Sequence, residues 1–271
     1  MKFNKVLVFL FTILSLAFGS VSYAGEIKFV QVADAHLSVA SDYSQEVLKA
    51  AVDDINSLEN ISFVVFTGDN IDSSKYENLE TFLKIINKLN VPYYLVFGNH
   101  DVFKSSGLSK ARYLEIVRSH NWFYRPSKPN YVFKRGEFVF IVLDGAKETI
   151  PGSNGYYKAA TLEWFDQQLT KYKKKHVVVF QHFPIIPPTE ERSHQVYKPE
   201  DYMAVLNRHD NVIAIVSGHY HTNKEKMENG VYHVNSPSLI GVTNPYKIID
   251  IVTTKGFSPM IYTQLRELSG N

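Results

Sequence analysis

Six times the chain runs through a short block of β-branched and aromatic residues that stops abruptly at polar ones: Ile27 to Ala33, Ile61 to Thr67, Val91 to Phe97, Phe138 to Leu143, Val177 to Phe180 and Val212 to Val216. Blocks this short and this evenly apolar suit strands covered on both faces. A weaker pair, Val231 to Val234 and Tyr246 to Thr253, follows. Helical period fills the intervals, over Ser44 to Leu58, Asn78 to Leu89, Ser109 to Ser119, Thr161 to Lys174 and Pro199 to Arg208. In the first of these Val47, Leu48, Ala51, Ile55 and Leu58 share one stripe, as an amphipathic helix laid on a sheet requires. The expected fold class is therefore α/β.

At 271 residues the chain can build a real core but is short for two full domains, and no repeat, low-complexity tract or linker divides it. Its 45% hydrophobic and 21% charged residues exclude a disordered or collagen-like chain. The net charge of +2 comes from Lys2 and Lys5; the rest carries 27 basic and 27 acidic residues. A neutral body gives no electrostatic case for duplex nucleic acid or an anionic membrane. The run Lys171 to Lys175 reads as the basic end of a helix. Cysteine is absent, which excludes disulfides, thiolate metal sites, cysteine nucleophiles and a lipidated-cysteine anchor.

Met1 to Ala24 reads as an export signal, with Lys2 and Lys5 before an uncharged apolar stretch and Ser22-Tyr23-Ala24 as a small-x-small cleavage site. Cleavage after Ala24 is expected, leaving residues 25–271 as one domain with no stable membrane partner. An uncleaved anchor is the alternative, because the apolar stretch approaches the ~20 residues that span a bilayer. Either way the domain is expected outside the cytoplasm, in the periplasm, the cell envelope or the medium.

The polar residues that stop the apolar blocks are metal-ligand types: Asp34-Ala-His36, Gly68-Asp69-Asn70, Gly98-Asn99-His100-Asp101, Gln181-His182 and Gly218-His219-Tyr220-His221. All fall at C-terminal strand ends, the edge where α/β sheets bind ligands. Imidazole, carboxylate and amide oxygen without sulfur suit Mn, Fe, Zn, Co or Ni. Seven candidates exceed one tetrahedral ion, whereas two ions ~3.5–4 Å apart sharing a carboxylate would use them and clamp both oxygens of a phosphoryl transfer. Gly68, Gly98 and Gly218 precede ligands, where tight turns bring backbone close to an ion. Two divalent ions balanced by Asp34 and Asp69 would leave a centre of about +2 that attracts anions.

The order DxH, GD, GNHD, H, GHxH over Asp34 to His221 resembles the calcineurin-like metallophosphoesterase superfamily, and Leu162 to Leu169 is similar to a helix common in it. The resemblance implies a four-layer α-β-β-α sandwich, two mixed sheets flanked by helices. It implies two divalent or mixed-valence ions: Asp34, His36 and His221 on the first, Asn99, His182 and His219 on the second, Asp69 bridging. A metal-bound hydroxide would attack phosphorus in line, with His100 free of metal as acid or cationic stabiliser and Asp101 orienting it. Purple acid phosphatases carry Tyr where this chain has Asp72, and exported 5'-nucleotidases add a large domain where only about fifty residues follow His221. The layout is more similar to the phosphodiesterase branch, with a small phosphoester as substrate.

Singly, each ligand is an ordinary turn or surface residue; their convergence carries the reading. His120, His176, His194, His209 and His233 lack that context, with His194, in the Pro-rich loop Phe183 to Lys198, kept as a substrate-contact candidate. Asp144 reads as a turn or helix-cap residue that could instead support the cleft, Asn70 and Asp72 as possible orienters of His100, Tyr220 as pointing away from the ions, and Asn235 to Ser238 as a turn bordering the cleft. The expected activity is hydrolysis of a phosphodiester. The alternatives are a broad-specificity phosphomonoesterase and a non-catalytic metal-binding interaction module, which would be expected to have lost Asp69, Asn99 or His100.

Overall fold

The computed structural model describes residues 23–121 and 126–268. Most of the expected leader lies outside the described residues, and its last two positions open the first strand. The strands are β1 (Tyr23–Val32), β2 (Val64–Phe66), β3 (Tyr93–Leu95), β4 (Tyr131–Arg135), β5 (Phe138–Val142), β6 (His176–Phe180), β7 (Val212–Ser217), β8 (Lys224–Glu228), β9 (Val231–Asn235), β10 (Pro245–Thr254) and β11 (Met260–Glu267). The helices are α1 (Asp42–Asn56), α2 (Tyr76–Ile86), α3 (Lys110–His120), α4 (Ala159–Lys171) and α5 (Pro199–Leu206).

The strands form two mixed sheets, ordered β11-β10-β1-β2-β3 and β4-β5-β6-β7-β9-β8. In the first, β1, β2 and β3 pair in parallel out to the β3 edge, while β10 pairs antiparallel with β1 and with β11 on the other side; in the second, β5, β6, β7 and β9 pair in parallel between the antiparallel edge strands β4 and β8. The sheets meet face to face through an aromatic layer. Phe29 of β1 lies 5.9 Å from Phe140 and 5.5 Å from Phe180, and Phe63 lies 5.0 Å from Phe140, all edge to face. Such pairs add to the burial of six-membered rings that drives the layers together.

Helices cover the outer faces. Phe82 of α2 packs 5.2 Å from Phe66 of β2, and α1 buries Val47, Leu48, Ala51, Val52 and Ile55. On the other side Phe165 of α4 meets Tyr202 of α5 at 5.5 Å. Ser41 and Ser109 start α1 and α3 by accepting the N–H groups of Ser44 and Arg112 at 3.2 Å. The four layers are thus the α-β-β-α sandwich expected from the resemblance.

Three strands, β4, β8 and β11, lie outside the apolar blocks. All are sheet edges, and each has at least one face to water, so none needs a continuous apolar run. β8 reads Lys-Glu-Lys-Met-Glu, a charged edge of the kind that discourages pairing with another chain.

Candidate metal centre

Five segments converge at the C-terminal ends of β1, β2, β3, β6 and β7. They are laced together by backbone: the N–H of Asp34 donates to the carbonyl of Gly68 at 3.1 Å, that of His36 to Asp69 at 2.9 Å, and that of Gly218 to His182 at 3.1 Å. Carboxylates finish the lacing, since Asp34 accepts the N–H of His219 at 3.0 Å and Asp69 that of His100 at 2.9 Å. Loops so tightly joined leave no room for side chains at the crossings. A Cβ at Gly98 would run into the backbone nitrogen of Asp69, and one at Gly68 would sit 2.6 Å from the His182 ring.

Asp34, His36, Asp69, His219 and His221 all hold positive φ, between 40° and 75°. Asp and His tolerate this region better than most residues but still give up free energy there. The turn aims each side chain inward, and backbone strain of this kind concentrates at functional sites.

Three overlapping groups of ligand atoms result, Asp34 with His36 and His221, Asp69 with His182 and His219, and His36 with Asp69 and His100, the atoms of each lying within 4.8 Å of one another. Asp69 Oδ2 links the first two, 3.3 Å from His182 Nε2 and 3.9 Å from His36 Nε2. Asn99 Oδ1 is 3.3 Å from His182 Nε2. All seven residues singled out as ligands are therefore together.

The donor chemistry fits a cation. His36 and His221 face each other nitrogen to nitrogen at 3.3 Å, and His182 and His219 at 3.1 Å. The Nδ1–H of His182 donates to the carbonyl of Thr67 at 2.9 Å, which leaves the Nε2 lone pair for the cluster. His219 Nε2 is buried with no hydrogen-bond partner among the described residues. Burial works to raise the Asp34 pKa, but its hydrogen bond to His221 and the charge of His182 outweigh that and hold it low. Asp69 is held low in the same way by His182. Burial pushes His219 down to about 3 and also lowers His36, keeping both imidazoles neutral as ligands must be.

His100 stands at the rim, exposed, its ring 4.9 Å from that of His36. Its Nδ1 lies 2.6 Å from the backbone carbonyl of Asp72, which can only accept, so Nδ1 carries a proton. This corrects the expectation that Asp101 orients the ring. Asp101 is fully buried and accepts instead from the N–H groups of Gly98 (2.8 Å), Asn70 (2.9 Å) and Ile71 (3.2 Å) and from the Asn70 amide (3.0 Å). Its carboxylate ties the loops after β2 and β3 together. Burial and the charge of Asp69 push its pKa up to about 7 against those donors.

Asp144 lies apart from the cluster, half-buried, where it pairs with Lys110 at the start of α3. The Asn235 to Ser238 turn does border the site, since Ser238 Oγ donates to the carbonyl of Asp34 at 2.7 Å. Tyr220 turns to the Pro-rich loop, its hydroxyl 3.2 Å from the Glu191 carbonyl. That loop contains a 3-10 turn, Arg192–His194, that sets the His194 ring 5.0 Å from His219. Of the two residues considered as orienters of His100, Asp72 has that part, though through its backbone carbonyl, and Asn70 binds Asp101 instead. Sequence reasoning missed Thr67, because it acts through a carbonyl that every residue has.

A sandwich of two mixed sheets with imidazoles and carboxylates paired at its strand ends defines a metal-dependent phosphoester hydrolase. Residues 27–223 match the calcineurin-like phosphoesterase family, and the chain belongs to that family. It is 27% identical over 204 residues to the "Probable glycerophosphodiester phosphodiesterase" of Arcobacter nitrofigilis, covering 71% of each protein. It is 24% identical over 222 residues to the 3',5'-cyclic-nucleotide phosphodiesterase of a Nostoc species, covering 78% of each. Its fold is similar to that of a dimetal phosphatase from Danio rerio, with a TM-score of 0.65, 18% identity, and coverage of 88% of this chain and 98% of that one.

Proposed function

We propose that the protein hydrolyses phosphodiesters with two metal ions and works outside the cytoplasm after losing its leader. The observation that carries the two-ion reading is that two of the three ligand groups share no residue, with Asp69 in reach of both. The naming of two relatives as phosphodiesterases supports the diester, and the leader pattern of Met1 to Ala24 supports export.

Bound there, two divalent ions supply positive charge and a water acidified enough to act as nucleophile near neutral pH. The protein's residues do the remainder. Asp34 and Asp69 bring negative charge, the imidazoles bring lone pairs in fixed tautomers, and Thr67 keeps His182 in register. His100, with Nδ1–H held by the Asp72 carbonyl, would in its doubly protonated form give the Nε2 proton to the leaving oxygen, ending as the neutral Nδ1–H tautomer, or stabilise charge on the phosphoryl group.

The test is the mature chain from Gly25, stripped and reloaded with Mn, Fe, Zn, Co or Ni, then assayed on bis(p-nitrophenyl) phosphate and p-nitrophenyl phosphate. Two ions per chain with faster turnover of the diester is the expected result. Preference for the monoester would favour the phosphomonoesterase reading. Metal binding without turnover of any ester would favour an interaction module.

A further inference from the structure

Beside the metal centre a cavity of about 510 Å³ opens between the loop after β5 and the Pro-rich loop, and among its lining residues are Lys147, Arg192, Lys198, Tyr156, Tyr197 and Asn154. No carboxylate is among the described residues that line it. Nor does any ion pair among the described residues engage Lys147, Arg192 or Lys198. Two acids next to lining residues in the chain are spoken for, Glu191 by Ser193 and His194 at 2.7 and 2.9 Å and Glu148 by the N–H of Lys110 at 2.7 Å. In a body with equal numbers of acids and bases, three converging cations without a counter-charge mark a place for an anion.

The cavity is built rather than incidental. Tyr197 N–H donates to the Gly155 carbonyl at 2.8 Å, the Asn154 amide to Gln195 at 3.0 Å, and Ser153 Oγ to Ser193 at 2.7 Å, so its two walls are sewn together. Tyr156 and Tyr197 stand 5.8 Å apart, 37% and 60% exposed, with Lys198 5.7 Å from the Tyr197 ring. Exposed tyrosines beside cations offer a flat ring a stacking surface next to a phosphate-binding group. The 3-10 turn that sends Arg192 into this cavity also lays His194 against His219, so cavity and metal centre share a wall.

Resting on the phosphodiesterase reading, we infer that this cavity receives the non-scissile end of the substrate, a second phosphate next to a planar ring. Short oligonucleotide fragments with a terminal phosphate have that chemistry, and a cyclic mononucleotide, with its single phosphate at the metals, does not. Lys147 and Arg192 would hold the second phosphate by charge-assisted hydrogen bonds while a tyrosine takes the ring.

The experiment compares KM for the dinucleotides pApA and ApA, which differ only in the terminal phosphate, on the metal-loaded enzyme and on Arg192→Ala and Lys147→Ala. The expected KM is about tenfold lower for pApA in the wild type, with the difference shrinking towards unity in each variant. Equal KM values in a wild type that turns over bis(p-nitrophenyl) phosphate would overturn the subsite and leave the phosphodiesterase reading standing. Should no ester be turned over, that reading fails, and calorimetric titration with pApA decides the subsite alone. Binding about tenfold tighter to wild type than to Arg192→Ala would support it, and equal binding would end it.

Discussion

His100 and Asp101 are neighbours with separate tasks, and their substitutions should separate as well. His100→Ala removes a group at the rim and should lower kcat by about 10²–10⁴-fold with both ions retained. Asp101→Asn turns two acceptors into one and sets an amide N–H against the donors it replaces. Turnover and metal content should then fall together, with a loss of about 1–3 kcal/mol of stability. Activity assays run beside metal analysis distinguish the two. His182 adds a pH dependence: burial opposes its charge, but the charge and hydrogen bond of Asp69 raise its pKa to about 9 in the metal-free protein. At neutral pH it therefore carries a proton that a metal must expel. Affinity should rise about tenfold per pH unit up to about 9, and calorimetry in buffers of different ionisation enthalpy should detect the released proton. The seven ligands were legible because their chemical types recur at strand ends; Asp101's real partners were not, since three of its four contacts are backbone N–H groups.

At the scale of elements, α1 is fastened to the sheet by one polar cluster as well as by its apolar stripe. Asp54 accepts from both Nε and Nη2 of Arg266 on β11, at 2.6 and 2.5 Å, and from the Tyr246 hydroxyl on β10 at 2.5 Å. The Arg266 hydrogen bonds lower the Asp54 pKa from its ordinary 3.8 against modest desolvation. The stabilisation is thus fully present above about pH 4 and disappears as pH falls through the lowered value. Asp54→Asn should cost about 1 kcal/mol at pH 7, read by urea denaturation, and flatten the acid limb of the stability profile. The apolar blocks and helical stripes announced all the central strands and all five helices. Of the edge strands, β3 was announced by its apolar block and three stayed hidden, two of them for a plain physical reason: β11 alternates half-buried and exposed residues, and β8 is nearly all charge.

For the whole molecule, periodicity yields α/β and goes no further. What makes two sheets instead of one is a set of tertiary pairings: β1 lies between β10, from the far end of the chain, and β2, while β7 pairs with β9 across the β8 hairpin. Register between distant strands leaves no local trace, so the sandwich came from the family resemblance. The pairing also explains a buried cation, since Lys247 of β10 is 1% exposed and finds its counter-ion, Glu225, on β8 of the opposite sheet.

The left-handed backbone at five ligands sets the interests of folding and catalysis against each other. Each such residue gives up about 1 kcal/mol that glycine would keep, and a bound cation returns it. His221→Gly, at a position whose side chain is 49% exposed, relieves that strain but also removes a partner of the buried Asp34, so a thermal scan should show the metal-dependent rise in melting temperature shrink while the metal-free protein changes little. A descendant relieved of its chemistry would drift towards glycine and asparagine at these five places first. The persistence of Asp and His there in any lineage is thus a record of continuing use.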